Sequence, residues 1–586
     1  MLLRAVIAAL FILVPSASAA PQELIPGLTY DRHIEFTTSG PVVANVLTVP
    51  RPGGFWQIHP VLSNETIPAT EKLTAIERRL SPTATVAGVN GDLFGHSGAP
   101  TGILMRSGGL DQQPIPGRSS IVVDSTGTLR IARVAMLATW QGSGPRRALG
   151  ELNAAPLPNG VSLYTSAWGK TTPPATGAVQ VTLSPFPLPQ PNLELVAPVV
   201  AVSTTGGGMT IPPGGSVLVA RGTAGARLQA EAPVGRTVKI RLILKPSWSG
   251  VLDALGGGPV LVRNGRPVFR ANEQFAASQL LPRTARTAVG QLRDGRFLFV
   301  TVDGSQPGYS VGATNFELAL EMVKLGAVSA AALDGSGSAE MAFEGRLLSR
   351  RVGPERPIAD ALIVAYTGVY VPQPLEAVLS PNGDGIAERQ RLSYKIVRPS
   401  TVTAGLVGPD GVPRVSFSGP LPAGTYPLDW SGTTGDGMPE VEGRWRWLVS
   451  ATDDRGQTSS GGRTFDLNRT LGFPDPVGPA LAVPRGAPRA VASFGLTRAA
   501  TVVSRIETAS GVVLRSLPKQ HATTGDLQVS WDGVTDSGAE VFTGRYVAEV
   551  TATNELGSVT LRATFSVRRL PPPPSPKPKP HRRKKK

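Results

Sequence analysis

"FLFVTVDGSQPGYSVGATNFELALEMVKLGAVSAAALDG", residues 297–335, decides how the first half of this chain is read. The run "FLFVTV" is β-branched and aromatic and ends at Asp303-Gly304. A helix is predicted over 314–325. Thr314 and Glu317 have capping-box spacing, Phe316, Leu320 and Val323 share a face, and Gly326 ends the run. "AVSAAAL" then leads into Asp334-Gly335. Strand, helix and strand in this order predict a βαβ unit with two parallel strands and a right-handed crossover. Asp303 and Asp334 would then leave the carboxyl ends of both strands, with the helix start at Thr314 opening on the same side. Ligands of open α/β sheets bind at that edge.

The residues around the two acids suit an anion. Gly304, Gly335 and Gly337 permit sharp turns and leave room beside the carboxylates. A Gly-Ser-Gly-Ser run can aim successive N–H groups and hydroxyls at a phosphate. The helix start adds partial positive charge, and Arg286 a full one. The competing interpretation is two ordinary Asp-Gly turns after strands.

Composition bounds the rest. The chain has 586 residues, enough for several domains. Only 17% of them are charged, and 67 Gly and 55 Pro favour short strands with many turns. The formal charge is +16, but nine of the basic residues lie in the closing "RRLPPPPSPKPKPHRRKKK", which has no acid. That concentration argues against a nucleic-acid-binding body and for an extended, unfolded tail over 569–586. "MLLRAVIAALFILVPSASAA" at 1–20 has the basic start, apolar stretch and Ala-Ser-Ala end of a cleaved secretory signal. No later segment is apolar enough to span a membrane. There is no cysteine, which excludes disulfides, thiolate catalysis and zinc–thiolate sites. The five histidines, at 33, 59, 96, 521 and 581, are too dispersed to suggest a multi-histidine metal centre.

The last third repeats itself. "WSGTTGDGMPEVEGRWRWLVSATDDRG" from Trp430 and "WDGVTDSGAEVFTGRYVAEVTATNELG" from Trp531 align at an offset of 101 residues. Period-two strands between Gly, Asp and Asn turns give each unit the size of a small β-sandwich, at 376–467 and 474–568. "SPNGDGIAE" is either an Asx turn or a calcium loop through Asn382, Asp384 and Glu388. Trp445, Trp447 and Tyr546 form either cross-strand core packing or a glycan-stacking strip. A shorter helix is predicted at 70–80, with Leu73, Ile76 and Leu80 on one face. Both the expected 21–370 domain, mixed α/β (α+β) with a mixed sheet, and the two all-β sandwiches follow from these patterns.

Several motifs together identify a relative of the 26–366 region. "AGVNGDLF" (87–94), "GAPTGILMRSGGL" (98–110), "DALGGGPVLVRNGRP" (253–267), the 286–327 segment, "LDGSGSAEMAFEGRLL" and "ERPIADALIV" occur in order. In this arrangement the region resembles the phosphodiester glycosidase family. The sandwiches resemble immunoglobulin-like modules of the flagellar hook-capping type, through "LSPNGDG", "WDG" and the "GRW" or "GRY" strand start. The chain departs from the family at Asp92, where a Gly is common, at Ser305, where an Arg is usual, and at Ser336 and Ala339-Glu340 in the Gly-rich motif.

The resemblance implies hydrolysis of a sugar-1-phosphodiester between the anomeric carbon and the phosphate oxygen. A phosphate monoester leaves readily, so holding its charge matters more than protonating it. Arg286 and the loop of Gly335, Ser336 and Ser338 are expected to do that. Asp334 is the first candidate to activate water or stabilise the sugar cation, Asp303 the second, with Asp92 and Glu340 behind them. Asn90, Gly257, Gly258 and the Thr314 helix start are expected to shape the substrate pocket. His96 is either an acid or simply solvated. The resemblance assigns no certain cofactor, and a divalent cation is left open. The expected partners are a carbohydrate phosphodiester and, through the tail, anionic cell-wall polymers. The alternative is a catalytically degenerate glycan-binding protein.

Overall fold

Both strands and the helix of 297–335 form in the computed structural model, but the sheet around them is not the expected one. It describes residues 20–248, 250–268, 273–477, 481–483 and 488–569; the signal-like segment and the basic tail lie outside, apart from Ala20 and Arg569. Strand Phe297–Val302 does not neighbour strand Ala327–Ala332. Strand Arg286–Leu292 lies between them and pairs antiparallel with each. The two outer strands therefore run in the same direction, as a βαβ unit requires, without a parallel ladder. The turn at 293–296 closes a hairpin of 286–302, and the outer edge of Phe297–Val302 is taken by Gly40–Val49. The chain returning from helix Asn315–Lys324 can only join the hairpin's other side.

This extends to the whole chain and corrects the mixed α/β expectation. The described residues are 51% strand and 7% helix, with four helices, and the sheets are almost wholly antiparallel. Parallel pairs are confined to short stretches such as Glu151–Leu152 with Val161–Thr165. The two predicted helices exist, at Leu73–Leu80 and Asn315–Lys324, but as minor cover on sheets. The second has its capping box: Thr314 Oγ1 accepts the Glu317 amide at 3.2 Å, and Glu317 accepts the Thr314 amide at 2.8 Å. Such a cap contributes about 1 kcal/mol. Its packed face is Leu318, Ala319 and Met322, whereas Phe316 and Leu320 are exposed. Gly290 explains the choice, because a Cβ there would lie 2.6 Å from Met322 Cε.

Contacts divide the chain into units Met1–Gly368 and Val369–Lys586. In the first, one eight-stranded sheet runs from Gln22–Ile25 through Gly40–Val49, Phe297–Val302, Arg286–Leu292 and Ala327–Ala332 to Arg266–Pro267. A five-stranded sheet holds Thr85–Asn90 beside Asp360–Tyr366, and another holds Leu104–Arg106, Val251–Gly256 and Ser119–Asp124. Ends of these three sheets converge on one place. A second eight-stranded sheet packs with the sheet of Leu104–Arg106, Ser119–Asp124 and Val251–Gly256 around a shared apolar core that includes Trp140, Met105, Val122 and Ala254. No described helix is long and apolar enough to cross a membrane.

The second unit contains two double-sheet sandwiches. The sequence repeat is a structural repeat: Trp430 Nε1 donates to the Thr433 carbonyl at 3.1 Å, and Trp531 Nε1 to that of Val534 at 2.9 Å. Trp445, Trp447 and Tyr546 are buried, so they are core packing and not a glycan strip. Residues 380–388 form an Asx-type turn, with Glu388 accepting the amides of Gly383 and Gly385 and Asp384 that of Ile386.

Candidate functional site

Asp334 leaves the end of strand Ala327–Ala332 into a crowded turn. Its amide donates to the Gly91 carbonyl at 3.0 Å, and its carbonyl accepts Asn90 Nδ2 at 2.7 Å. Asn90 ends strand Thr85–Asn90, is fully buried, and accepts Thr287 Oγ1 at 2.7 Å and the Glu340 amide at 3.1 Å on its Oδ1. Both ends of its amide are therefore engaged by protein. Asn90 fastens two sheets together rather than facing a sugar.

Three carboxyl groups meet here. The Asp92 amide donates to Asp360 Oδ1 at 2.8 Å, and Asp92 Oδ2 accepts the Gly102 amide at 2.6 Å. Burial pushes all three acids up. Asp334 is raised to about 6, first by burial, with the Asp92 charge adding to it. Asp360, fully buried, is pushed well above the carboxylate range by burial and then by Asp92 and Asp334. Asp92 is raised by burial and partly offset by Arg118. Asp92 Oδ1 and Asp360 Oδ2 have no hydrogen-bond partner among the described residues. Like charges this close in low dielectric oppose one another's ionisation, so the three carboxyl groups titrate as a coupled set.

Glycines make the room. A Cβ on Gly256 would lie 2.3 Å from Asp92 Oδ2, one on Gly102 2.7 Å from the same oxygen, and one on Gly91 2.3 Å from Asp360 Oδ1. The Asn-Gly-Asp and Gly-Gly-Gly motifs are thus space for carboxylates. Gly257 and Gly258 give their amides to Ser119 and Ala332 carbonyls and wall the site from behind.

Positive charge comes from arginines, not from the Gly-Ser loop. That expectation is corrected by where the amides go. Gly335 N donates to Asp334 Oδ1, Ser336 N to the Ala285 carbonyl, and Ser338 N to that of Gly335. The Ser338 hydroxyl lies beside Asp334 and lowers its pKa without reaching hydrogen-bond geometry. Ser336 sits at φ +54°, a left-handed conformation that favours glycine. Arg286, buried, donates to the carbonyls of Ala313, Gln279 and Pro282 at 3.1, 3.0 and 2.5 Å. One N–H remains on each terminal nitrogen, and Nη1 borders Gly335. Burial lowers Arg286 to about 10, and the carboxylate that counters this is Asp334. Among the described residues it makes no ion pair. Arg356 lies over Gly337 and also lowers Asp334.

The remaining candidates stand apart. Asp303 is not paired with Asp334: strand Arg286–Leu292 separates them, roughly 10 Å at the usual strand spacing. It is held by Tyr309 Oη at 2.8 Å and by Asn45 Nδ2 and the Arg350 amide, each at 3.0 Å. Thr314 is occupied by its cap. Glu340, pushed up to about 7 by burial against the pull of Arg351, forms an ion pair with Arg351 behind Asn90. His96 is exposed on a turn. Asp360, Arg356, Arg118 and Gly102 were not singled out from sequence. The available signal for Asp360 was an acid opening the buried strand "DALIVAY". Among the described residues no group of three or more His, Cys, Asp or Glu is arranged to hold a metal ion. A separate cleft of about 720 Å³, lined by Trp56, His59, Glu65, Arg106 and Asp253, contains none of the candidate residues.

Known proteins share parts of this chain. Residues 194–365 match the phosphodiester glycosidase family, a span that includes Arg286, Asp334 and Asp360 but not Asn90 or Asp92. Residues 485–555 match the FlgD Ig-like domain. YomE, an uncharacterised SPbeta prophage-derived protein of Bacillus subtilis (strain 168), is 30% identical over 118 residues, 20% of this chain and 18% of that protein's length. A hypothetical protein from Synechocystis is 25% identical, with a TM-score of 0.49 over 58% of this chain and 62% of its own. A protein of Burkholderia pseudomallei K96243 described as exported is 24% identical, with a TM-score of 0.45 over 56% of this chain and 74% of its own. The zebrafish N-acetylglucosamine-1-phosphodiester alpha-N-acetylglucosaminidase catalytic domain, auto-inhibited by its pro-peptide, is 14% identical, with a TM-score of 0.32 over 60% of this chain and 86% of its own. The chain therefore carries a phosphodiester glycosidase domain, matched over residues 194–365, and a FlgD Ig-like domain, matched over residues 485–555.

Proposed function

We propose that this chain is a secreted hydrolase that cleaves glycosyl phosphodiester bonds in a cell-wall or exopolysaccharide-type glycan. The observation that carries this reading is the juxtaposition of Asp334, raised to about 6, with Arg286, a buried cation without an ion-pair partner. A buried guanidinium in that state favours an anionic ligand. The diester phosphate would sit against Arg286 and Arg356, with the sugar's anomeric carbon towards Asp334. Above its pKa, Asp334 accepts a proton from water as the water oxygen bonds to the anomeric carbon. The carbon–oxygen bond to phosphate breaks, and its electron pair leaves on the phosphate monoester. Asp360, accepting the Asp92 amide, and the Gly102 amide hold Asp92 in place. The Ig-like modules and the Lys/Pro tail would keep the enzyme near anionic wall polymers.

The test is hydrolysis of a panel of hexose-1-phosphodiesters in ¹⁸O-labelled water, comparing wild type with Asp334→Ala, with and without a chelator. The expected product is a free sugar labelled at its anomeric hydroxyl. Label in the phosphate, or no turnover above the variant, would overturn the reading. Ser336 at φ +54° and the internally bonded loop amides favour a second reading, a glycan binder without turnover. It predicts retained glycan affinity in the same inactive sample.

A further inference from the structure

The cluster around Asp303 is built like a binding site in its own right. Two arginines pack on Tyr309, with the Arg350 guanidinium 4.4 Å and that of Arg32 5.4 Å from its ring centre. Arg32 Nη2 donates to Tyr309 Oη at 2.8 Å, and that hydroxyl donates to Asp303 Oδ2 at 2.8 Å. Asp303 Oδ1 is filled by Asn45 Nδ2 and by the Arg350 backbone amide. Both carboxylate oxygens are thus engaged without the Arg350 side chain. Both arginines are exposed, and neither makes a carboxylate ion pair among the described residues. Asp31 points to the other face of its strand, where it pairs with His33 at 2.8 Å. Stacking on one ring fixes the direction of two guanidinium groups, whose remaining N–H donors suit a tetrahedral anion.

A chain of contacts joins this cluster to Asp334. Arg350 holds Asp303, its neighbour Arg351 pairs with Glu340, the Glu340 amide donates to Asn90, and Asn90 donates to the Asp334 carbonyl. Both acids leave the same end of one sheet, two strands apart.

We propose that Arg32 and Arg350, braced by Tyr309, form a second phosphate subsite, so that the substrate is a polymer with repeated phosphodiester groups rather than a single glycosyl phosphodiester. This rests on the reading of the Asp334 site given above. While Arg286 and Arg356 hold the phosphate being released, the pair at Tyr309 holds the next one along the chain.

Arg350→Gln tests this, because it removes the guanidinium and leaves the backbone N–H on Asp303. In the full chain, kcat/KM is measured on a single hexose-1-phosphodiester and on an oligomer of three such repeats. The expected result is about a tenfold greater loss on the oligomer than on the single diester, carried by KM. Equal losses on both, or none, would overturn the second subsite. Calorimetry keeps this apart from failure of the proposed reaction. With Asp334→Asn as background, added Arg350→Gln should weaken oligomer binding about tenfold more than single-diester binding, whether or not the wild type turns over. Equal affinities would sink the subsite even in an active enzyme.

Discussion

The backbone amide of Asp92 donates to Oδ1 of Asp360 at 2.8 Å, joining two acids 268 residues apart in one buried wall. Asp334 completes the group from a third sheet end. Where three carboxyl groups share one low-dielectric space, their protons are distributed by environment, and the chemistry follows from that distribution.

Asp334 must be ionised to accept a proton, so kcat/KM should rise with pH through about 6 and level above it. A pH–rate profile on a hexose-1-phosphodiester reads this limb directly. Asp334→Asn should lower kcat by at least about 100-fold and leave no such limb.

Asp360→Asn should stabilise the protein at neutral pH. Its carboxyl is held well above the usual range, so the fold binds this proton more tightly than the unfolded chain does. The stability it contributes is complete below about 4 and is lost as pH rises from there towards the folded-state value. Asn keeps the acceptor for the Asp92 amide and has no proton to lose. Its Tm should exceed that of wild type at pH 8 and converge with it near pH 4, as followed by thermal denaturation.

Gly256→Ala should cost about 1–3 kcal/mol of stability, because the added methyl would meet Asp92 Oδ2 at 2.3 Å and the Gly102 backbone at 2.8 Å. A flexible side chain could move aside, but the backbone of Gly102 cannot. Activity should fall with it. Urea denaturation and the hydrolysis assay on one sample check both.

Ser336→Gly should stabilise by about 1 kcal/mol, since it removes a left-handed serine at φ +54°. What is lost is only an exposed contact from Thr284 Oγ1 at 3.2 Å. A lower Tm than wild type would show that this contact outweighs the backbone relief.

Arg286→Lys should lose more than charge conservation suggests. The guanidinium bridges the carbonyls of Ala313, Gln279 and Pro282 at once, which an ammonium on a flexible stem cannot reproduce. On the phosphodiester assay we expect KM to rise at least about tenfold.

Much of the fold was legible where the signal is local. Thr314 and Glu317 cap their helix because capping depends on residues three apart. Trp430 and Trp531 mark equivalent corners because a repeat needs only self-comparison. The antiparallel, mostly β character of the first unit was not legible, because residues 297–335 carry no information on which strand lies between their two strands. That neighbour, Arg286–Leu292, is chosen by the preceding hairpin. Asp303 and Asp334 looked like partners for the same reason.

By itself, the sequence determined which residue types could do the chemistry: Asp334 and Arg286 close to glycines, in a chain without cysteine. It also determined the repeated sandwiches of the last third, since alternating strands and turn residues act over short distances. Only the tertiary structure decided that Asp360, and not Asp303, shares space with Asp334. It also decided that the Gly-Ser amides bond inward while arginines supply the charge. Both depend on how three sheet ends converge, and burial, which sets each pKa, exists only once those sheets have met.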